Sequence, residues 1–257
     1  MLGSPLARDR PVRLGRGRRY VRALVAAAAA ACVPSGLAQP ALPVVSGFDL
    51  SAEGWTIPAS VEWRGAGGNP GGYLHGPIPD PHNTVAAARA PAAYLGDWST
   101  LDGRALIGFD HRIFDAGTVN FIIPYKVVLS GPGGRAQWDG PTAGGATPWT
   151  RLVAPVHASA WAVQSGTWAG LLANVTDLTI QIEIVDNVCC VEDQAGLDNA
   201  VLTCRADFNA DGGLDTLDVL AFLNAFNAAD SRADFTGDGE LDSLDFLAFL
   251  NEFNAGC

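Results

Sequence analysis

Arg205-Ala-Asp-Phe-Asn-Ala-Asp-Gly-Gly-Leu-Asp-Thr-Leu-Asp218 and Arg232-Ala-Asp-Phe-Thr-Gly-Asp-Gly-Glu-Leu-Asp-Ser-Leu-Asp245 are near-copies set 27 residues apart. Each runs on into an apolar stretch, Val219-Leu-Ala-Phe-Leu-Asn-Ala-Phe-Asn227 and Phe246-Leu-Ala-Phe-Leu-Asn-Glu-Phe-Asn254. That period is too short for two full helix–loop–helix units, so the repeating unit is one loop and one helix. Calcium is a hard cation that a twelve-residue loop can ligate with oxygens from positions 1, 3, 5, 7, 9 and 12. In the first loop those positions hold Asp207, Asn209, Asp211, the Gly213 carbonyl, Asp215 and Asp218. In the second they hold Asp234, Thr236, Asp238, the Glu240 carbonyl, Asp242 and Asp245. Gly212 and Gly239 fall at position 6, where the chain must turn sharply. Leu214 and Leu241, at position 8, are expected to pair the loops through a strand-like contact. Two bound Ca2+ ions follow as the expectation.

The loops differ from ordinary EF-hands in two ways. Position 12 is Asp instead of the longer Glu, and only Arg205-Ala206 separates Cys204 from Asp207, which leaves no room for an entering helix. A loop plus an exiting helix, twice, with Asp at position 12, resembles the type I dockerin family over residues 204–257. The resemblance implies a calcium-dependent fold that docks onto a cohesin-like receptor, often in bacterial polysaccharide-degrading systems. It also implies that Thr216-Leu217 and Ser243-Leu244, at positions 10 and 11, read the partner. Val219–Leu223 and Phe246–Leu250 are apolar on every side, which is more surface than two short helices can bury on each other. The surplus would face a partner or pack on the neighbouring domain. Residues 205–257 carry eleven acidic side chains against two arginines, so folding of this segment should be coupled to metal binding.

Upstream, seven arginines (Arg8, Arg10, Arg13, Arg16, Arg18, Arg19 and Arg22) precede the apolar run Ala23 to Val33, and Gly36-Leu37-Ala38 supplies small residues before a cut. Residues 1–38 therefore read as a secretory signal peptide, with an apolar run too short to span a bilayer. Those residues carry seven Arg and Asp9, so the formal charge of −11 becomes −17 without them. A chain this acidic does not bind nucleic acid non-specifically. Four cysteines then remain, Cys189, Cys190, Cys204 and Cys257, and an even number in an exported protein favours disulfides. Cys204 and Cys257 bracket the repeats and are expected to clamp the module's two ends. That leaves Cys189 and Cys190 to pair with each other.

Residues 39–203 suffice for one domain with a real core. Short apolar runs such as Ala105–Phe109, Asn120–Pro124, Lys126–Leu129 and Leu178–Ile184 are separated by Gly- and Pro-rich turns, Gly65–Gly72 and Ser130–Gly134 among them. That texture predicts an antiparallel sandwich. Ile180, Ile182 and Ile184 alternate with Thr179, Gln181 and Glu183, as one buried and one wet face requires. Trp168–Val175 reads as a helical turn before that strand. The expected fold is thus mainly β, a jelly-roll-like antiparallel sandwich plus a small α C-terminal module of two calcium loop–helix repeats. Phe48-Asp-Leu-Ser-Ala-Glu-Gly-Trp55, Gly71-Gly-Tyr-Leu74, Val127-Val-Leu-Ser-Gly131 and Leu197-Asp-Asn-Ala-Val-Leu202, in that order, resemble a laminin B (laminin IV type A) domain. Such a domain implies extracellular adhesion or glycan contact.

All seven tryptophans lie between Trp55 and Trp168. Flat aromatic faces stack on sugar rings, whereas a sandwich core uses aromatics for volume. Trp63 and Trp138, among Gly, Arg and Asp, are the expected exposed pair for ligand binding, and Trp55 and Trp168 the expected core. No paired-carboxylate, nucleophile-elbow or histidine-metal spacing marks a catalytic centre. The overall reading is an exported, non-catalytic protein whose dockerin-like module tethers a glycan- or matrix-binding sandwich to a cohesin-like receptor. A small glycan-active hydrolase or lyase with a dockerin tail is one alternative. A structural surface protein whose calcium module packs on its own sandwich is the other.

Overall fold

A computed structural model of the chain describes residues 38–76, 86–187 and 194–257. The signal-peptide reading, Cys189, Cys190 and His82 lie outside the described residues, apart from Ala38. The described residues form one compact unit. They are arranged mainly as two antiparallel sheets facing one another.

The first sheet contains β1 (Val44–Ser46), β2 (Glu62–Arg64), β3 (Tyr73–Gly76), β5 (Ala105–Asp115), β9 (Thr150–Pro155) and β13 (Gln194–Cys204). Its order is β2-β3-β13-β5-β9, with β1 also paired to β13. The second contains β4 (Ala87–Arg89), β7 (Pro124–Gly131), β8 (Gly134–Thr142), β10 (Ala162–Gly166) and β11 (Asp177–Gln181), in the order β10-β8-β7-β11-β4. A separate ribbon joins β6 (Val119–Ile122) to β12 (Val185–Asn187). The expected single turn before β11 is present as α1 (Trp168–Leu172), whose Thr167 hydroxyl caps the Gly170 amide at 3.1 Å.

Period-2 alternation builds the core. Ile107, Phe109 and Ile113 of β5, Leu197 and Leu202 of β13, Val127 and Leu129 of β7, and Leu178 and Ile180 of β11 meet between the sheets, all at or near full burial. Each such side chain contributes about 1.5–3 kcal/mol by leaving water. Trp55 and Trp168 belong to this core as expected. The Leu178–Ile184 stretch departs from an ideal strand. Its alternation holds, since Ile180, Ile182 and Ile184 are fully buried. The ladder stops at Gln181, however, because the amides of Ile182 and Glu183 both donate to the Ala86 carbonyl, at 2.8 and 3.1 Å. Gln181, expected to be wet, is buried and donates through Nε2 to the Glu183 carbonyl at 2.6 Å.

β5 also carries His111 into the core, where its Nε2 lies 2.7 Å from the Ile182 carbonyl and its ring packs edge-on against Tyr125. Burial pushes the imidazole down to about 4. The unfolded chain therefore binds a proton below pH ~6.5 that the folded protein refuses until about pH 4, so this residue costs stability as pH falls through that window. Against His111→Asn, the wild type should lose on the order of 3 kcal/mol between pH 6.5 and 4. Urea denaturation of both proteins across that range measures the difference, and parallel profiles would refute it.

Candidate calcium module and sandwich face

β13 ends at Cys204, and the first loop begins three residues later. Asp207, fully buried, accepts the Asp211 amide at 3.1 Å and the Gly212 amide at 2.8 Å. Asp218, equally buried, closes the loop by accepting the Asn209 and Asp215 amides at 3.1 and 2.9 Å, one on each oxygen. The second loop repeats the scheme. Asp234 accepts from Gly237 and Gly239, and the buried Asp245 accepts from Thr236 and Asp242. Thr236 adds its hydroxyl to Asp245 at 3.0 Å. Gly212 and Gly239 adopt φ of +90° and +85°, as the turn at position 6 demands. First and last carboxylates are thus brought together in each loop, with Asn209 and Thr236 between them.

Asp211, Asp215, Asp238 and Asp242 stay exposed, as do Gly213 and Glu240. Asp215 and Asp242 have a second role that spacing to a metal did not suggest. Each caps the following helix, α2 (Thr216–Asn227) or α3 (Ser243–Ala255), by accepting the Leu217 or Leu244 amide at 2.7 Å, in a capping box with Asp218 or Asp245. Among the described residues no three His, Cys, Asp or Glu side chains stand close enough together to hold a metal ion. The donors are in order without being converged. Their chemistry suits a hard cation, because all are oxygens, and a carboxylate offers about four lone-pair sites of which Asp218 uses two. Burial pushes the Asp207 carboxyl up to about 6, against hydrogen bonds from the Thr203 hydroxyl and the Gly212 amide. Burial raises Asp218 as well.

The strand-like pairing expected between Leu214 and Leu241 is absent; the repeats meet through side chains instead. Phe208 and Phe235 stack at 6.2 Å, Phe222 and Phe249 stack at 4.3 Å with ring planes 12° apart, and Leu241 packs on this cluster. Arg205 lies 3.8 Å over Phe235, while Arg232 lies over Phe208, so each repeat's arginine covers the other repeat's phenylalanine. The paired Arg-Ala-Asp-Phe tetrapeptides were the available sign of this. Arg205 also binds Glu252 at 2.9 Å. Cys204 and Cys257 form the expected disulfide, with Cα atoms 5.1 Å apart.

Thr216 and Ser243 are exposed, and Leu217 and Leu244 continue into rows of exposed leucines, Leu220 and Leu223 on α2 and Leu247 on α3. The sandwich covers none of them. It does cover part of the first loop, where Ala210 packs with Leu106, Val153 and Val201.

In the sandwich, Trp138 corrects the expectation of exposure. It is 8% exposed and packs edge-on against Phe109, because it shares the inward phase of β8 with Ala136. Trp63 is 36% exposed, its Nε1 bonded to the Phe48 carbonyl at 2.6 Å. A group that sequence reading missed is Tyr73, His75, Phe114 and Trp149, with ring centroids 5.4–5.9 Å apart. Tyr73 and His75 come from β3 and Phe114 from β5, while Trp149 precedes β9. All lie on the face of the first sheet away from the core, with Arg112 over Phe114 at 4.5 Å. Asp110 of β5 and Asp198 of β13 meet through shared asparagine donors. Asn199 donates to both, Asn69 likewise, and Arg151 pairs with Asp110 at 3.2 Å. Arg151 enters that network through Nη1 alone, and its buried Nε and Nη2 have no hydrogen-bond partner among the described residues.

No family model and no curated protein matches the chain. Solved structures do. The L4b domain of human laminin alpha-2 matches 63% of this chain and 97% of its own at TM-score 0.46 and 8% identity. An exo-beta-agarase matches 62% of this chain and 24% of its own at TM-score 0.38 and 12% identity. A family 11 carbohydrate-binding module from Clostridium thermocellum, in complex with a beta-1,3-1,4-mixed-linked tetrasaccharide, matches 65% and 94% at TM-score 0.35 and 15% identity. Similarity this distant leaves function to the chain's own residues.

The reassignment of the tryptophans is measurable. Trp138→Ala should cost about 3–5 kcal/mol, as large core truncations do, and Trp63→Ala about 1 kcal/mol. Equal urea midpoints for the two variants would return Trp138 to the surface.

Proposed function

We propose that this is an exported adaptor in which a laminin-B-like sandwich contacts a glycan or matrix component and a dockerin-like module, loaded with two calcium ions, attaches it to a cohesin-like receptor. The observation that carries the reading is the twofold recurrence of a buried-carboxylate loop followed by a helix with exposed leucines. Asp207, Asn209, Asp211, Gly213, Asp215 and Asp218 would hold one ion, and Asp234, Thr236, Asp238, Glu240, Asp242 and Asp245 the other. Calcium would supply the positive charge that lets so many carboxylates share one small module. The chain's own part is to shape each loop with backbone amides and to brace it with the phenylalanine core.

Thr216, Leu217, Ser243 and Leu244 would read the receptor, with Leu220 and Leu247 extending each contact. Exposed apolar rows of this kind mark protein-binding surfaces. Their exposure counts against the alternative in which the helices pack on the protein's own sandwich. For the glycan, the partly exposed Phe114 and Trp149 offer flat apolar surface beside Arg64 and Arg112 on the outer face of the first sheet. Trp63, 36% exposed, lies at the β2 edge in phase with Leu74 on the other face. The Cys204–Cys257 disulfide fits an oxidising compartment. Among the described residues, no helix is long and apolar enough to cross a membrane.

Calorimetric titration of calcium into the chelator-stripped protein should find two sites, with a gain in helical circular dichroism. Absence of heat and of helix gain would end the reading. Leu217→Asp with Leu244→Asp should leave calcium binding intact and lower affinity for a cohesin-like receptor at least tenfold, an effect of about 1.4 kcal/mol or more. Unchanged receptor affinity would place the docking surface elsewhere.

A further inference from the structure

The two loops are alike in sequence and unlike in setting. The first lies directly on the sandwich. Ala210, fully buried at φ +57°, fills a recess over Gly108, where a Cβ would come within 2.7 Å of the Ala210 carbonyl oxygen. Gly212 sits against Val45 and Val201, and a Cβ there would meet Val45 at 2.8 Å. Leu106, Val153 and Val201 complete the apolar contact. The Arg205 amide donates to the Arg104 carbonyl at 2.8 Å, extending the β13–β5 pairing into the module. Thr203, a fully buried residue of β13, sets its hydroxyl 3.7 Å from Cys257 Sγ and beside the Asp207 carboxylate, the first ligand position, whose proton affinity it lowers.

The second loop has none of these supports. Residues 236–240 are all exposed, and Gly237 and Gly239 look onto open space. Asp234 and Gly237 face the sandwich only across a cleft of about 450 Å³, whose far wall includes Leu106, Val153 and His157.

We infer that the first calcium site is built jointly by the module and the sandwich, with Thr203 as its positioning residue, so that the ion bound there stabilises the sandwich while the ion in the second loop acts within the module alone. The inference rests on the calcium reading of the loops given above. A ligand stabilises whatever must be folded for it to bind. Unfolding the sandwich removes Thr203, Val45, Leu106 and Val201 from the first loop. The second loop is tied to this junction only through Arg205, whose Nη2 donates to the Phe235 carbonyl at 2.9 Å from within the module.

The protein contains its own reporter, because every tryptophan lies in the sandwich and none in the module. Tryptophan fluorescence therefore follows sandwich melting in the full chain. Calcium at a hundredfold excess over its dissociation constant should raise that melting temperature by on the order of 5–10 °C. The rise should persist in Asp234→Ala and vanish in Asp207→Ala. Thr203→Val, which keeps every calcium ligand, should shrink the rise and weaken one of the two calorimetric sites severalfold. Two bound ions with an unmoved tryptophan melt would overturn the inference and leave the calcium reading standing. So would an equal loss of the rise in both alanine variants, or a full rise in Thr203→Val. Absence of calcium binding by the wild type would defeat the underlying reading itself.

Discussion

The chain passes from β13 into the first acidic loop without a linker, and most of the molecule's organisation follows from that junction. β13 pairs with β1, β3 and β5, so it is the most constrained strand of the first sheet. Its last residue, Cys204, is covalently bound to Cys257 at the far end of α3. Arg205 follows at once and reaches the same helix through Glu252 while stacking on Phe235. Three successive interactions, a strand ladder, a disulfide and an ion pair, thus act on consecutive residues. A flexible linker would have let the module swing free; here its orientation is inherited from the sheet.

The acidic loops show how local chemistry and tertiary placement divide the work. The order of oxygen-bearing side chains is a property of a dozen consecutive residues, and the loop turn needs glycine at one position, so both are visible in sequence. How firmly each loop is held is a property of what it touches. Asp207 gains a threonine and a strand surface, while Asp234 gains solvent and the edge of a cleft. Buried carboxylates without a cation are costly, and the amides directed at Asp207 and Asp218 lower that cost only in part, as their raised proton affinities show.

The same division explains what could be read from the sandwich. Two sheets with a buried aliphatic core were legible in the alternation of Ile180, Ile182 and Ile184 and in the regular Gly- and Pro-rich turns, since burial on one face imposes a two-residue period. Trp138 was misplaced because its Gly and Asp neighbours suggested a loop. The better signal was the phase of Ala136-Gln137-Trp138-Asp139, which turns Trp138 inward with Ala136. The grouping of Tyr73, His75, Phe114 and Trp149 had no local signature at all. It arises because β3, β13, β5 and β9 lie side by side, which only the strand order decides. In the module, the Leu214–Leu241 pairing failed because the stacked phenylalanines set the spacing between the repeats.

The exchanged arginine–phenylalanine contacts have a consequence for how such a module can exist. Phe208, Phe222, Phe235 and Phe249 form one core to which each repeat gives half, and each half is roofed by the other's arginine. One loop and one helix taken alone would present a bare aromatic face and an unused guanidinium, complementary to a copy of itself. The smallest stable object is therefore a symmetric pair, whether two chains or two repeats in one chain. Tandem duplication converts such a dimer into a single folding unit and removes its dependence on concentration. Once joined, the halves are free to diverge on their outer faces while their shared interior holds them alike, and the unequal surroundings of the two loops are a divergence of that kind.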